Sequence, residues 1–167
     1  MMDEIKTLSL RKNPEYAKKC EELLLNHFHE STSKHPEQVL ASTDIFPQGY
    51  FMIKNNRVIG WVGIHEKEVV SGKVYGWEGS VKKEEVFAED LSPWITPLLV
   101  HPDERGHQYG KLLLEYARKQ AGLLGFERVY LTTGEIGFYE KYGFREVGLT
   151  LFSWGRPTKV YEADILN

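Results

Sequence analysis

A chain of 167 residues, 41% hydrophobic and 13% aromatic, has the composition of a folded globular protein, and its length suits one domain, residues 1–167. Its formal net charge of −3 gives no general attraction to nucleic acid or anionic membrane, and no apolar run approaches the roughly 20 residues that span a bilayer. The start of the chain lacks the basic and apolar regions of a signal peptide, and a single cysteine, Cys20, excludes an internal disulfide, so a cytoplasmic location is expected.

Ile5, Leu8 and Leu10 alternate imperfectly and predict a first strand over residues 5–10. Asn13-Pro14-Glu15 predicts a helix opening, with Asn as cap, Pro in the first turn and an early acid. Tyr16, Cys20, Leu23, Leu24 and Phe28 follow at helical spacing, so Cys20 reads as a core side chain rather than a nucleophile. His27, His29 and His35 fit no usual metal-ligand spacing and read as solvent-facing side chains near a helix C-terminus. His35-Pro36-Glu37 opens a second short helix, to about Phe46. Residues 49–53 and 57–65 predict two strands joined at Lys54-Asn55-Asn56, with Val58, Trp61, Val62 and Ile64 facing the core. Gly60 and Gly63 mark close packing or a bulge there.

Residues 66–93 are the least regular. Val69, Val70, Val74, Tyr75 and Trp77 interleave with Gly72, Gly76 and Gly79, and the charged run Lys82-Lys83-Glu84-Glu85 follows. The expectation is a loop or ragged hairpin, a candidate substrate lid carrying a solvated charge run. Trp94–Val100 is mainly apolar, lies between Pro93 and Pro102, and predicts a short buried strand. Leu112, Leu113, Tyr116, Ala117, Gln120 and Leu123 predict a helix that stops at Gly125. Between strand and helix sits Arg105-Gly106-His107-Gln108-Tyr109-Gly110, with Lys111 next. Glycines let a ligand approach bare amides, and a helix N-terminus offers unpaired N–H groups with a partial positive charge. Such a strand–loop–helix corner suits a pyrophosphate. It has neither the Gly-Lys-Ser/Thr of a P-loop nor the third glycine of the dinucleotide pattern. Farther on, residues 128–133 predict a strand, and residues 146–153 and 158–164 two closing strands turned at Gly155-Arg156-Pro157.

Residues 100–110, V-H-P-D-E-R-G-H-Q-Y-G, resemble the acetyl-CoA loop of the GNAT acetyltransferase superfamily, Arg/Gln-x-x-Gly-x-Gly/Ala. Arg105 matches its first position and Gly110 its last, while Gln108 stands where the middle glycine is usual. That departure implies a wider loop or a side chain turned away from the pyrophosphate. Residues 137–144, G-F-Y-E-K-Y-G-F, resemble the family's F/L-Y-E-K-x-G-F segment, and the L-S-P-W block at residues 91–94 looks like that of a small bacterial-type subgroup. The resemblance runs from residue 94 to about 148.

The resemblance implies an α/β (α+β) fold: a mixed, mostly antiparallel seven-stranded sheet with a central splay, flanked by about four helices. It implies direct transfer of acetyl from acetyl-CoA, as cosubstrate and without a metal, to a primary amine in a ternary complex. The main chain of Leu98, Leu99 and Val100 would carry pantetheine and face the oxyanion. The amides of Arg105, Gly106, His107, Gln108, Tyr109, Gly110 and Lys111 would hold the pyrophosphate. Thr133 would touch pantetheine or acceptor, and Tyr139 would be the general acid beside the sulfur. Glu66, Glu78, Asp90, Glu135 or a water relay stay open as general base. A small-molecule amine is the preferred acceptor, a peptide or protein N-terminus the alternative. A CoA- or acyl-CoA-binding sensor without turnover is the alternative of another class. Neither nucleic acid nor membrane is an expected partner, and homodimerisation stays open.

Overall fold

The computed structural model describes residues 3–28 and 30–167, so the expectation for His29 lies outside the described residues. The strands are β1 (Ile5–Ser9), β2 (Gln48–Lys54), β3 (Arg57–His65) and β4 (Val70–Tyr75), then β5 (Trp94–Val100), β6 (Arg128–Thr133), β7 (Arg145–Phe152) and β8 (Pro157–Asp164). The helices are α1 (Ala17–His27), α2 (Glu30–Ser33), α3 (His35–Ala41) and α4 (Tyr109–Leu123). The fold is mixed α/β with mostly antiparallel strand pairing, as the resemblance implies; the described residues form eight strands where seven were expected. Two compact units divide the chain, one of Met1–His65 with Ile95–Ala117, the other of Glu66–Trp94 with Arg118–Asn167.

The first unit is a meander. β1 pairs antiparallel with β2, and β2 with β3. Asn55 and Asn56 make the β2–β3 turn with φ of 51° and 69°, the two left-handed positions of a tight hairpin that asparagine tolerates better than most residues. Leu10, Cys20, Leu23, Leu24 and Val39 bury against Phe51, Ile53, Val58, Trp61 and Leu99. Burial raises the Cys20 thiol far above its ordinary pKa, which keeps it protonated and unreactive. Both β3 glycines lie under tight contacts: a Cβ on Gly60 would meet the Leu113 side chain at 2.8 Å, and one on Gly63 would strike the Thr96 carbonyl. Asn13 does not cap a helix as expected. Its side-chain amide donates to Ser9 O at 2.9 Å, and Pro14–Tyr16 form a 3-10 turn before α1. The second helix ends sooner than expected, where Ser42 Oγ donates to Phe46 O at 2.7 Å.

In the second unit β6 pairs with β8, β8 with β7 and β7 with β4, all antiparallel. Trp94, the first residue of β5, pairs in parallel with Tyr130, whose N–H donates to Pro93 O at 3.0 Å. Of the loop and the ragged hairpin expected for residues 66–93, the hairpin is present: the Val74 N–H donates to Val86 O at 2.7 Å and Lys73 bridges Phe87 in antiparallel fashion. Val70, Val74, Val86, Ala88 and Leu91 are buried together with Trp94, Tyr130, Val147 and Val160. Gly72 and Gly76, at φ of 86° and 67°, bend the chain and break the alternation by which a strand would be read. Lys82 to Glu85 are exposed, as a solvated charge run should be.

The phase of α4 also differs from the expectation. Leu112 and Leu123 are 46% and 73% exposed, whereas Tyr109, Leu113, Leu114, Ala117, Arg118 and Ala121 are buried. Three consecutive leucines at 112–114 fit two faces equally well, and a buried arginine is invisible to a hydrophobic pattern.

Candidate active site

The strand β5 ends at Val100, and a 3-10 turn over Pro102–Glu104 leads toward α4. Two ties fix this corner within the first unit. The His101 N–H donates to Ile59 O at 2.7 Å, joining the corner to β3. The Glu104 carboxylate, in a residue only 8% exposed, accepts from Lys54 Nζ at 2.9 Å, joining it to the end of β2. That hydrogen bond from Lys54 holds the Glu104 carboxyl below the usual glutamate range. Nothing in the sequence marks Glu104 for this role, because the pair is fifty positions apart.

From there the backbone turns through two left-handed residues, Gly106 at φ 90° and Gln108 at φ 61°. The Gln108 carbonyl accepts from the Leu112 N–H at 3.2 Å, so the α-helical ladder begins at Leu112 and the amides of residues 109–111 precede it. Arg105, Gly106, His107 and Gln108 are exposed, Gly110 and Lys111 half-buried, and Tyr109 buried. Arg105 Nε donates to Val100 O at 3.4 Å, and Lys111 pairs with Glu115 at 3.7 Å along the helix. Three amides that precede the ladder, a helix dipole and the cations of Arg105 and Lys111 make a fit for an anionic group. Leu98 and Val100 are half-buried and Leu99 buried, so the first unit brings together every candidate of residues 98–111.

Thr133 and Tyr139 belong to the second unit. Thr133 Oγ1 accepts from the Glu135 N–H at 2.9 Å, which leaves its hydroxyl proton free to donate. Tyr139 opens a 3-10 turn, Tyr139–Tyr142. Its ring packs on Phe138 at 4.9 Å and Phe144 at 5.9 Å between centroids. Burial, and then the Glu135 carboxylate, push the phenol up to about 12, so it is protonated throughout the physiological range. Arg118 secures this turn: its guanidinium donates to Tyr142 O at 2.7 Å and to Asp164 O at 2.8 Å, and stacks over the Phe144 ring at 5.4 Å.

Of the four acids open as general base, Glu66, Glu78 and Glu135 are exposed, and Asp90 accepts from the Phe87 N–H at 3.3 Å as a local cap. His35 is not solvent-facing as expected. Its ring meets that of His65 at 4.6 Å within the first unit. Among the described residues no group of three or more His, Cys, Asp or Glu side chains is placed to hold a metal ion, and no helix is long and apolar enough to cross a membrane.

Residues 17–144 match the model of the acetyltransferase (GNAT) family. A curated relative, the amino-acid acetyltransferase of Salmonella typhi, is 31% identical over 88 residues, covering 47% of this chain and 20% of that protein. The chain thus spans about a fifth of the curated relatives it matches. Among solved structures, aminoglycoside 6'-acetyltransferase type Ii has a TM-score of 0.67 at 20% identity, over 100% of this chain and 99% of that one. A GNAT family acetyltransferase from Brucella melitensis in complex with acetyl-CoA has a TM-score of 0.60 at 16% identity, over 85% and 83% of the two chains. These likenesses establish the fold, and the family match, which takes in both the loop of residues 105–110 and the segment of residues 137–144, places the chain in the acetyltransferase (GNAT) family.

Proposed function

We propose that this protein is an acetyl-CoA-dependent N-acetyltransferase acting on a primary amine of a small molecule by direct attack in a ternary complex. The observation that carries the reading is the corner at residues 105–111, where a left-handed loop ends on three helix amides that precede the hydrogen-bonded ladder. These amides bind the pyrophosphate, with Arg105 and Lys111 adding charge. Main-chain groups of Leu98, Leu99 and Val100 hold the pantetheine and stabilise the developing oxyanion. Tyr139 donates a proton to the departing thiolate, a role supported by its motif and by a phenol that stays protonated. Thr133 contributes a hydroxyl donor. The small-molecule acceptor is supported by the amino-acid and aminoglycoside acetyltransferases among the similar proteins. The family model spans residues of both compact units, which supports one acetyltransferase domain over the whole chain.

Thermal unfolding with acetyl-CoA, CoA, ATP and NADH tests the reading. A ligand at 100-fold its Kd that binds only the folded state adds about 2.7 kcal/mol. The expected result is stabilisation by acetyl-CoA and CoA, followed by thiol release when primary amines are supplied. Stabilisation by ATP or NADH alone would remove the proposal.

A further inference from the structure

A pocket of about 450 Å³ opens within the first unit, between α1 and the β2–β3 hairpin. Leu23 and Val58, both buried, give it an apolar side, and Lys19, Arg57, His27 and His101 give it a basic one. Among the described residues that line it, Glu22 is the one acid, so the fixed charge of the lining is positive. None of these residues belongs to the corner at residues 105–111. Lys19 Nζ reaches Asn56 O, at the hairpin turn, only at 3.5 Å. Arg57 acts on the Glu104 carboxylate, but Lys54 holds that carboxylate directly at 2.9 Å. The His27 ring, half-buried at the end of α1, meets the His101 ring with centroids 4.9 Å apart.

At His101 the hydrogen bonding of this pocket does not close. Its Nδ1 accepts from the Asp103 N–H at 3.1 Å, and its Nε2 faces Arg57 Nη2 at 3.1 Å. Both neighbours are donors, since a guanidinium has no acceptor atom. A neutral imidazole has one acceptor nitrogen, so it meets one of them and turns its own N–H toward the other. With the Asp103 bond kept, the Nε2–H and the Arg57 N–H point at each other across hydrogen-bond distance. An acceptor that joins the two removes the conflict, and an anionic one also answers the charge of Arg57 and Lys19. We propose that this pocket binds a small organic oxyanion, a carboxylate or a phosphate, held by Arg57 and by the Nε2–H of His101, with Lys19 adding charge. Leu23 and Val58 take the apolar part of the molecule. A guanidinium grips such a group through two parallel hydrogen bonds, which gives the site direction as well as charge. The site is separate from the residues assigned to acetyl-CoA and stands whether or not the acetyl-transfer reading holds.

Calorimetric titration of the full chain with citrate and with inorganic phosphate, each against sodium chloride at equal ionic strength, tests the site. Saturable binding of at least one probe is expected, and Arg57→Gln should weaken it by about 10-fold or more. Arg57→Lys, which keeps the charge and loses the fork, should recover only part of that loss. Arg57 is exposed, so both variants should keep the wild-type thermal midpoint. Heteronuclear NMR on histidine-labelled protein should show the His101 Nε2 signal moving with the bound probe. No binding beyond that of chloride overturns the proposal, as does binding that Arg57→Gln leaves unchanged or that leaves the His101 signal in place. Bound citrate or phosphate should also survive saturation with CoA. Displacement by CoA would make the pocket part of the cofactor's own site and overturn the proposal, and dephospho-CoA would then tell whether the ribose phosphate is what occupies it.

Discussion

Gln108 occupies a backbone position that a glycine would hold at no steric cost. At φ 61° a side chain with a Cβ costs about 1–2 kcal/mol, while glycine forfeits about 0.5–1 kcal/mol through the freedom of its unfolded chain. Gln108→Gly should thus stabilise the protein by up to about 1 kcal/mol, whereas Gln108→Val should destabilise it; urea midpoints of the two variants decide the sign. The loop departs from the family pattern in residue type while keeping the backbone conformation a glycine favours, so its geometry was legible from the neighbouring Arg105 and Gly110. Tyr139 stands out in the sequence as a candidate through a contiguous motif. Tyr139→Phe should lower turnover by about 100-fold or more while leaving the acetyl-CoA Kd unchanged, as read by steady-state kinetics and direct titration. A full-rate Phe variant would remove the acid role.

At the level of elements, hairpins were readable and helix faces were not. Asn55-Asn56 declares a tight turn by residue type alone, and the β2–β3 pairing follows from it. Along α4, by contrast, the leucines at 112–114 support two phases, and Arg118 decides between them only once its partners are folded. Arg118 donates to two main-chain carbonyls, Tyr142 O and Asp164 O, and so joins the tail of α4, the tyrosine turn and the end of β8. Hydrogen bonds from a charged donor contribute about 1.5–3 kcal/mol each, and removing the donor takes this partner from two part-buried carbonyls. Arg118→Met, which keeps the bulk, should therefore cost about 3 kcal/mol by chemical unfolding and should broaden NMR signals of residues 139–144. β4 was readable only as part of a loop or ragged hairpin for a related reason. Its pairing with β7 shifts register between Ser71 and Tyr75 around Gly72, so no period of two survives in the sequence.

Across the whole molecule, the pH range of stability is bounded by buried neutral groups on both sides. His65, lowered to about 4 by burial and by His35, binds a proton more readily when unfolded, near 6.5. Its contribution is complete above the unfolded pKa and is lost as pH falls from there toward 4, by about 2 kcal/mol between pH 7 and pH 5. His35, also lowered, acts in the same direction. Glu104 and Asp3, held below their ordinary values chiefly by hydrogen bonds from Lys54 and Asn55, add a further loss only as pH drops below the usual carboxyl range. On the alkaline side Tyr130 and Tyr139 are raised to about 12, chiefly by burial. A raised group contributes fully below its unfolded pKa, near 10, and loses that contribution as pH climbs toward the folded value. The expected profile is a plateau from about pH 6.5 to about pH 8.5, closed on the alkaline side first by the buried Cys20 thiol and then by the tyrosines, with a histidine-controlled acid shoulder. Urea unfolding at pH 7 and pH 5 checks it: the wild type should lose at least about 2 kcal/mol, and His65→Gln should lose markedly less over the same interval. An unchanged shoulder in that variant would mean that the ring is not held neutral by its burial, and it would assign the loss between pH 7 and pH 5 to His35 instead.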